Sequence, residues 1–277
     1  MTIPPANCES TPPARRNYIG AHGVRLSYLE WNSDGPPVVL LHGITSSART
    51  WWRVAPALVE QGYHVYAFDM PGHGESAETD DHHIPAIARL IAAAMRALDI
   101  DDAVVIGHSW GGATALDLAS VVSDRPALRK VVLIDPAMGM TPERGKEALP
   151  NFMVGIGDPP EANRTRLRAA NPLWRDCDVH WKVEALAQCH PAAVRGLFLE
   201  SDAWNLTAHL AQVDVPLLLL VADPQYTVIP PETLAAAERA IRQDIGRVVV
   251  VPGTDHNMFR AGYDKTVPIL LDWLLSS

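Results

Sequence analysis

The apolar positions of this chain fall into short blocks of two kinds, separated by polar turns. The first kind is brief, wholly apolar and rich in Val, Leu and Ile: "PPVVLLHG" (36–43), "HVYAFDMPG" (64–72), "DAVVIGHSWGG" (102–112), "LRKVVLIDPA" (128–137), "VPLLLLVAD" (215–223) and "RVVVVPGTDH" (247–256). A strand with one wet face alternates apolar and polar residues. A strand apolar throughout is buried on both faces, as in parallel sheets. The second kind repeats at helical spacing: "SARTWWRVAPALVEQG" (47–62), "IPAIARLIAAAMRALDI" (84–100), "GATALDLASVVS" (112–123), "PPETLAAAERAI" (230–241) and "KTVPILLDWLLSS" (265–277). The opening "NYIGAHGVRLSYLEWN" (17–32) alternates and predicts a hairpin. Strands alternating with helices predict an α/β fold with a mostly parallel sheet flanked by helices.

One region breaks the alternation. Between Asp135 and Val215 no buried-strand block occurs, and the segment reads as several short helices interrupted by Pro. An insertion at the carboxyl end of a sheet strand lies where ligands bind in such folds. Residues 136–210 are therefore expected to form a helical lid, with 17–135 and 211–277 as the core. The Pro-rich, polar residues 1–16 are expected to be disordered.

Composition narrows the function classes. The formal net charge of -9 argues against nonspecific nucleic-acid binding. No apolar run of about 18 residues exists, so no membrane span is expected. The three cysteines, Cys8, Cys177 and Cys189, form an odd set without CxxC spacing. They suggest neither a disulfide framework nor structural zinc, although Cys177 and Cys189 could in principle pair. Residues 1–16 lack the apolar run of a signal peptide, so the cytoplasm is the expected location.

The chemistry concentrates in "GHSWG" (107–111), a G-x-S-x-G motif at the end of a predicted strand and the start of a predicted helix. A residue at so sharp a turn is held in a strained backbone with its side chain pushed above the sheet. Gly107, Gly111 and Gly112 supply room for that turn. The helix beginning at Trp110 leaves free N–H groups near any oxyanion formed at the Ser109 hydroxyl. The alternative role for Ser109 is a helix cap.

In these residues the chain resembles the α/β-hydrolase superfamily, with "LLHG", "DMPGHGES", "IDPA" and the late His of "PGTDHN" in the expected order. The resemblance spans nearly the whole chain and points to lid-bearing, esterase- or lactonase-like serine hydrolases. It implies Ser109 as nucleophile, His256 as base, and the backbone N–H groups of Ile44 and Trp110 as oxyanion donors. For the acid it favours Asp223, at the end of "LLLLVAD", where most members carry it. Asp135, at the end of "VVLID", is the alternative seat, and Asp255 is a third. His42 and His73 are expected to make structural hydrogen bonds. Met138, Phe152, Trp174, Trp181 and Trp204 are candidates for the substrate pocket, along with Trp51, Met140 and Met153. The implied reaction is cleavage of a small apolar carboxylic ester or lactone without metal or organic cofactor. C–C bond hydrolysis, amide hydrolysis, acyl transfer, perhydrolysis and a non-catalytic receptor are the alternatives. A homodimer is left open.

Overall fold

A computed structural model describes residues 8–276. The hairpin comes first, as β1 (Arg15–Ala21) and β2 (Val24–Trp31), followed by β3 (Pro37–Leu41). The block at 47–62 is not one helix: a 3-10 turn over Ala48–Trp51 precedes a short α1 (Val54–Glu60). There follow β4 (His64–Phe68), α2 (Ile84–Ala97), β5 (Ala103–His108), α3 (Trp110–Ser120) and β6 (Leu128–Ile134).

The inserted region holds β7 (Gly139–Met140), α4 (Pro142–Met153), α5 (Pro160–Ala170), α6 (Asp176–Ala187) and α7 (Pro191–Arg195). It ends with a π-helical turn over Gly196–Glu200 and β8 (Trp204–Asn205), which pairs antiparallel with β7. The core resumes with β9 (Leu217–Val221), α8 (Pro231–Ala240), β10 (Gly246–Val250) and α9 (Tyr263–Leu275).

The main sheet has eight strands in the order β1-β2-β4-β3-β5-β6-β9-β10. The β1–β2 and β2–β4 pairs are antiparallel and all others are parallel. Alternate residues of each apolar block go to opposite faces. Val39, Leu41, Val105, Val131, Leu133 and Leu219 pack with α2 and α3 in one core. Val38, Leu40, Val104, Ile106, Val132 and Leu220 pack with α1 and α9 in the other. Every position is apolar because both faces are covered.

The amino-terminal expectation needs correcting. Residues 1–7 lie outside the described region, but residues 8–16 are ordered. Cys8 and Ser10 are buried, Ser10 Oγ accepts from Trp31 Nε1 at 3.0 Å, and β1 begins at Arg15. Cys8 is bonded to Cys177 on α6, 169 residues away, while Cys189 is free and buried. The pairing links the start of the chain to the inserted helices, and no local spacing signal announces so long a connection. It also removes the cysteine argument for a reducing compartment, since disulfides are rare in the cytosol. No described helix is long and apolar enough to cross a membrane.

The crosslink restricts the unfolded chain across this long loop. Cys8→Ser is accordingly expected to lower unfolding stability by about 3–5 kcal/mol. Urea titration of variant and parent, the parent with and without reductant, checks this: reductant lowers the parent midpoint and leaves the variant unchanged.

Candidate active site

The sheet delivers its functional side chains from strand ends. Ser109 follows β5 at φ 55°, ψ -118°, a conformation that side chains rarely adopt. Its own amide donates to Ile134 O at 3.0 Å, and its carbonyl accepts from Ala113 N and Ala137 N, both at 3.0 Å. The turn is thereby held on three sides. A Cβ at Gly107 would collide with the Gly111 carbonyl, and one at Gly43 would lie 3.0 Å from Ser109 Cβ. Glycine at these positions lets the β3 loop and the β5 turn close on each other.

His256 comes from the loop after β10. Its Nδ1–H donates to Asp135 Oδ2 at 2.7 Å. Asp135, which follows β6, is fully buried and has φ 41°. Its Oδ2 also accepts from Val228 N at 3.1 Å, and its Oδ1 from Ala222 N at 3.1 Å and Thr227 Oγ1 at 2.6 Å. Four donors thus converge on one carboxylate and fix its orientation toward His256.

The structure corrects the expected placement of Asp223. Its Oδ2 accepts from Gly253 N at 2.8 Å and its Oδ1 from Gln225 N at 3.1 Å. These bonds, the Gly253 contact first, hold its carboxyl below the usual range. Asp223 fastens the β9 loop to the β10 loop and leaves His256 to Asp135. The physical reason lies in its neighbours: Ala222 and Thr227 turn their donors inward onto Asp135 while Asp223 turns outward. Asp255 makes no bond to the His256 ring among the described residues.

The other histidines of the region serve the loops. His108 Nε2 donates to His256 O at 2.9 Å, fixing the loop that carries His256 to the elbow. His42 Nδ1 donates to Gly43 O at 2.8 Å, and its Nε2 accepts from Met70 N at 2.9 Å. His73 Nε2 accepts from Thr45 N at 3.1 Å, and its Nδ1 donates to Pro71 O at 2.9 Å. Burial pushes His42 down to about 4 and His73 to about 3, and holds His108 well below its ordinary value. Sequence reasoning missed Lys182 of α6. Its Nζ donates to Thr45 O and Thr45 Oγ1, both at 2.7 Å, and burial pushes its ammonium down to about 7. An inserted helix thus grips the β3 loop, and no local pattern around Lys182 signals that contact.

The neutral histidines make the fold acid-labile. Their folded-state pKa values lie below the unfolded value of about 6.5, so the unfolded chain binds the extra protons as pH falls. Stability is full above about pH 6.5 and is lost progressively toward pH 4 and 3, the folded values of His42 and His73. A urea midpoint several-fold lower at pH 4.5 than at pH 7.5 is expected. A midpoint flat across that interval would mean the three rings are not buried neutral.

Ser109 and His256 line one cavity of about 410 Å³, roofed by the inserted region. The amides of Ile44 and Trp110 have no acceptor among the described residues, and both residues line this cavity beside Ser109. Of the expected pocket residues, Phe152 and Trp204 line it, with Met140. Trp204 is fixed by its Nε1–H, which donates to Ala137 O at 3.2 Å.

Five pocket expectations, Met138, Trp174, Trp181, Trp51 and Met153, are corrected, Met153 packing against the main core. Met138 is buried in the main core. Trp174 packs on Val179, Val183 and the Arg260 guanidinium. Trp181 packs on the Cys8–Cys177 bond and Arg49. Each apolar side chain in the insertion is drawn to whichever neighbour can cover it, and residue type cannot tell core from cavity. Phe198, Leu197, Val228, Ile229 and Arg144 also line it and were not anticipated. Trp51 stacks on Phe259 at 4.7 Å, in the core. No group of three or more His, Cys, Asp or Glu among the described residues could hold a metal ion.

Comparison with known proteins agrees with this arrangement. The chain is 30% identical over 242 residues to N-formylmaleamate deformylase of Pseudomonas putida, covering 86% of this chain and 88% of that one. It is 29% identical over 276 residues to a non-heme haloperoxidase of Rhodococcus erythropolis, covering 92% and 97%. Among solved structures, E-2-(acetamidomethylene)succinate hydrolase superposes with a TM-score of 0.80 over 95% of this chain and all of that one, at 21% identity. That last likeness concerns the fold alone. A model of the alpha/beta hydrolase family matches residues 38–268, the stretch holding every strand-end residue described above. With its strand order, its elbow serine and that match in agreement, the chain belongs to the alpha/beta hydrolase family.

Proposed function

We propose that the protein is a serine hydrolase that cleaves a carboxylic ester or lactone through an acyl-enzyme. The observation that carries this reading is the Asp135–His256 pair at 2.7 Å, with His256 sharing one cavity with the strained Ser109. Asp135 accepts a hydrogen bond from Nδ1–H, which leaves the lone pair of Nε2 free to act as base. A serine hydroxyl is a weak nucleophile and needs such a base. Ser109 Oγ attacks the carbonyl carbon as its proton passes to His256 Nε2. The tetrahedral oxyanion takes the N–H groups of Ile44 and Trp110. His256 then protonates the leaving alkoxide and the acyl group stays on Ser109. Water, deprotonated by His256, releases the carboxylic acid and restores the serine.

One relative is named a deformylase, and this favours removal of a formyl group as the second reading. It uses the same attack on a carbonyl and differs in the leaving group. Turnover of 4-nitrophenyl butyrate tests the first reading. A fluorophosphonate should add its phosphonyl group to Ser109 and to no other residue, as read by peptide mass spectrometry. Labelling of a different residue, or ester turnover that survives Ser109→Ala, overturns it.

A further inference from the structure

We propose that Arg144 makes this site selective for an acyl compound whose apolar body carries a carboxylate, by pairing with that carboxylate at the cavity wall. The inference rests on the serine-hydrolase reading and narrows its substrate class.

Among the described residues, Arg144 is the only Lys, Arg, Asp or Glu lining the cavity; its other walls are apolar or weakly polar, apart from Ser109 and His256. The ordinary fate of an exposed arginine on a helix is pairing with an acid one turn away, or solvation. Here the helix offers Glu147 three residues on, and Glu143 immediately before. Glu143 turns back to the start of α4, where its own backbone N–H and the Thr141 hydroxyl hold its carboxyl below the usual range. Glu147 makes no ion pair with Arg144 among the described residues. By contrast Arg166 and Arg168 on neighbouring α5 pair with Asp158 at 3.1 Å and Asp176 at 2.6 Å. Arg144 thus lines the cavity while remaining exposed to solvent, and it makes no ion pair among the described residues.

The protein's charge sharpens the point. A net charge of -9 disfavours the approach of anions. One guanidinium, with no acid on the same walls among the described residues, can hold a carboxylate through two parallel N–H donors.

The test uses matched substrates. Wild-type protein and Arg144→Gln are assayed on the 4-nitrophenyl monoesters of glutaric and adipic acid, and on the uncharged pentanoate and hexanoate esters, with spontaneous hydrolysis subtracted. The wild type is expected to favour the monoesters at least about ten-fold in kcat/KM, or about 1.4 kcal/mol. Arg144→Gln should lose that preference mainly through a raised KM for the monoesters, with a smaller loss on the uncharged esters. Arg144→Lys should keep part of it, and 1 M NaCl should shrink it in the wild type by screening. A binding arm needs no turnover: glutarate should raise the melting temperature of Ser109→Ala, glutaramide should not, and adding Arg144→Gln should abolish the shift. Equal losses on both ester series, or a glutarate shift indifferent to residue 144, overturns the carboxylate inference. Absence of Ser109-dependent ester turnover overturns the serine-hydrolase reading, and the glutarate arm still decides whether Arg144 holds a carboxylate.

Discussion

Ser109→Ala is expected to lower kcat on 4-nitrophenyl esters by about 10⁵–10⁶-fold, because a nucleophile and its base act as a unit and losing either forfeits nearly all of the acceleration. His256→Ala should fall to a similar level, and the double variant should fall little further. The residual rate would come from the amides of Ile44 and Trp110, which neither substitution removes. Folding should survive both changes. Ser109 makes its hydrogen bonds through the main chain, and alanine keeps the same Cβ at the same backbone angles, so the turn is held as before. Circular dichroism of each variant serves as the control. If the two single losses multiplied in the double variant, the residues would be acting independently and the acyl-transfer mechanism would not hold.

The second large effect concerns the acid. Asp135→Asn is expected to reduce kcat by about 10⁴-fold, because an amide cannot hold the imidazole in the tautomer whose Nε2 is the base. The new NH₂ group would present a donor to His256 Nδ1, or to the donors of Ala222, Thr227 and Val228 that now converge on the carboxylate. Some loss of stability therefore accompanies the kinetic loss, and a pH–rate profile separates the two: a merely destabilised enzyme keeps its profile, whereas one with a misoriented base does not. Asp223→Asn should stay within about three-fold of wild type, since an amide oxygen still accepts from Gly253 or Gln225. The reverse outcome, collapse with Asp223→Asn and near-normal turnover with Asp135→Asn, would show that the static pair at 2.7 Å is not the working one.

These two carboxylates show where local pattern stops being informative. Asp135 and Asp223 both end buried strands and read alike in sequence, "VVLID" and "LLLLVAD". Which one meets His256 depends on how the backbone continues past each strand. At 135 the chain adopts φ 41° and turns the carboxylate inward. At 223 the carboxylate is taken up by the amides of Gln225 and Gly253. Those are non-local choices made among neighbouring loops. The insertion teaches the same lesson through its tryptophans. Trp204 came to the cavity wall, while Trp174 and Trp181 went to separate small cores, one of them built on a disulfide to the start of the chain.

The sequence by itself determined the α/β architecture, since a strand buried on both faces must be apolar at every position and an amphipathic helix must repeat near 3.6. It determined the elbow too, because a sharp strand-to-helix turn in contact with another loop demands glycines at fixed offsets around Ser109. The partner of His256, the Cys8–Cys177 link, the grip of Lys182 on Thr45 and the open guanidinium of Arg144 were decided only by tertiary structure. Each joins residues far apart in the chain, or depends on which nearby partners a side chain declines. Periodicity and spacing record local constraints, whereas these pairings were settled by the packing of loops and inserted helices around the sheet.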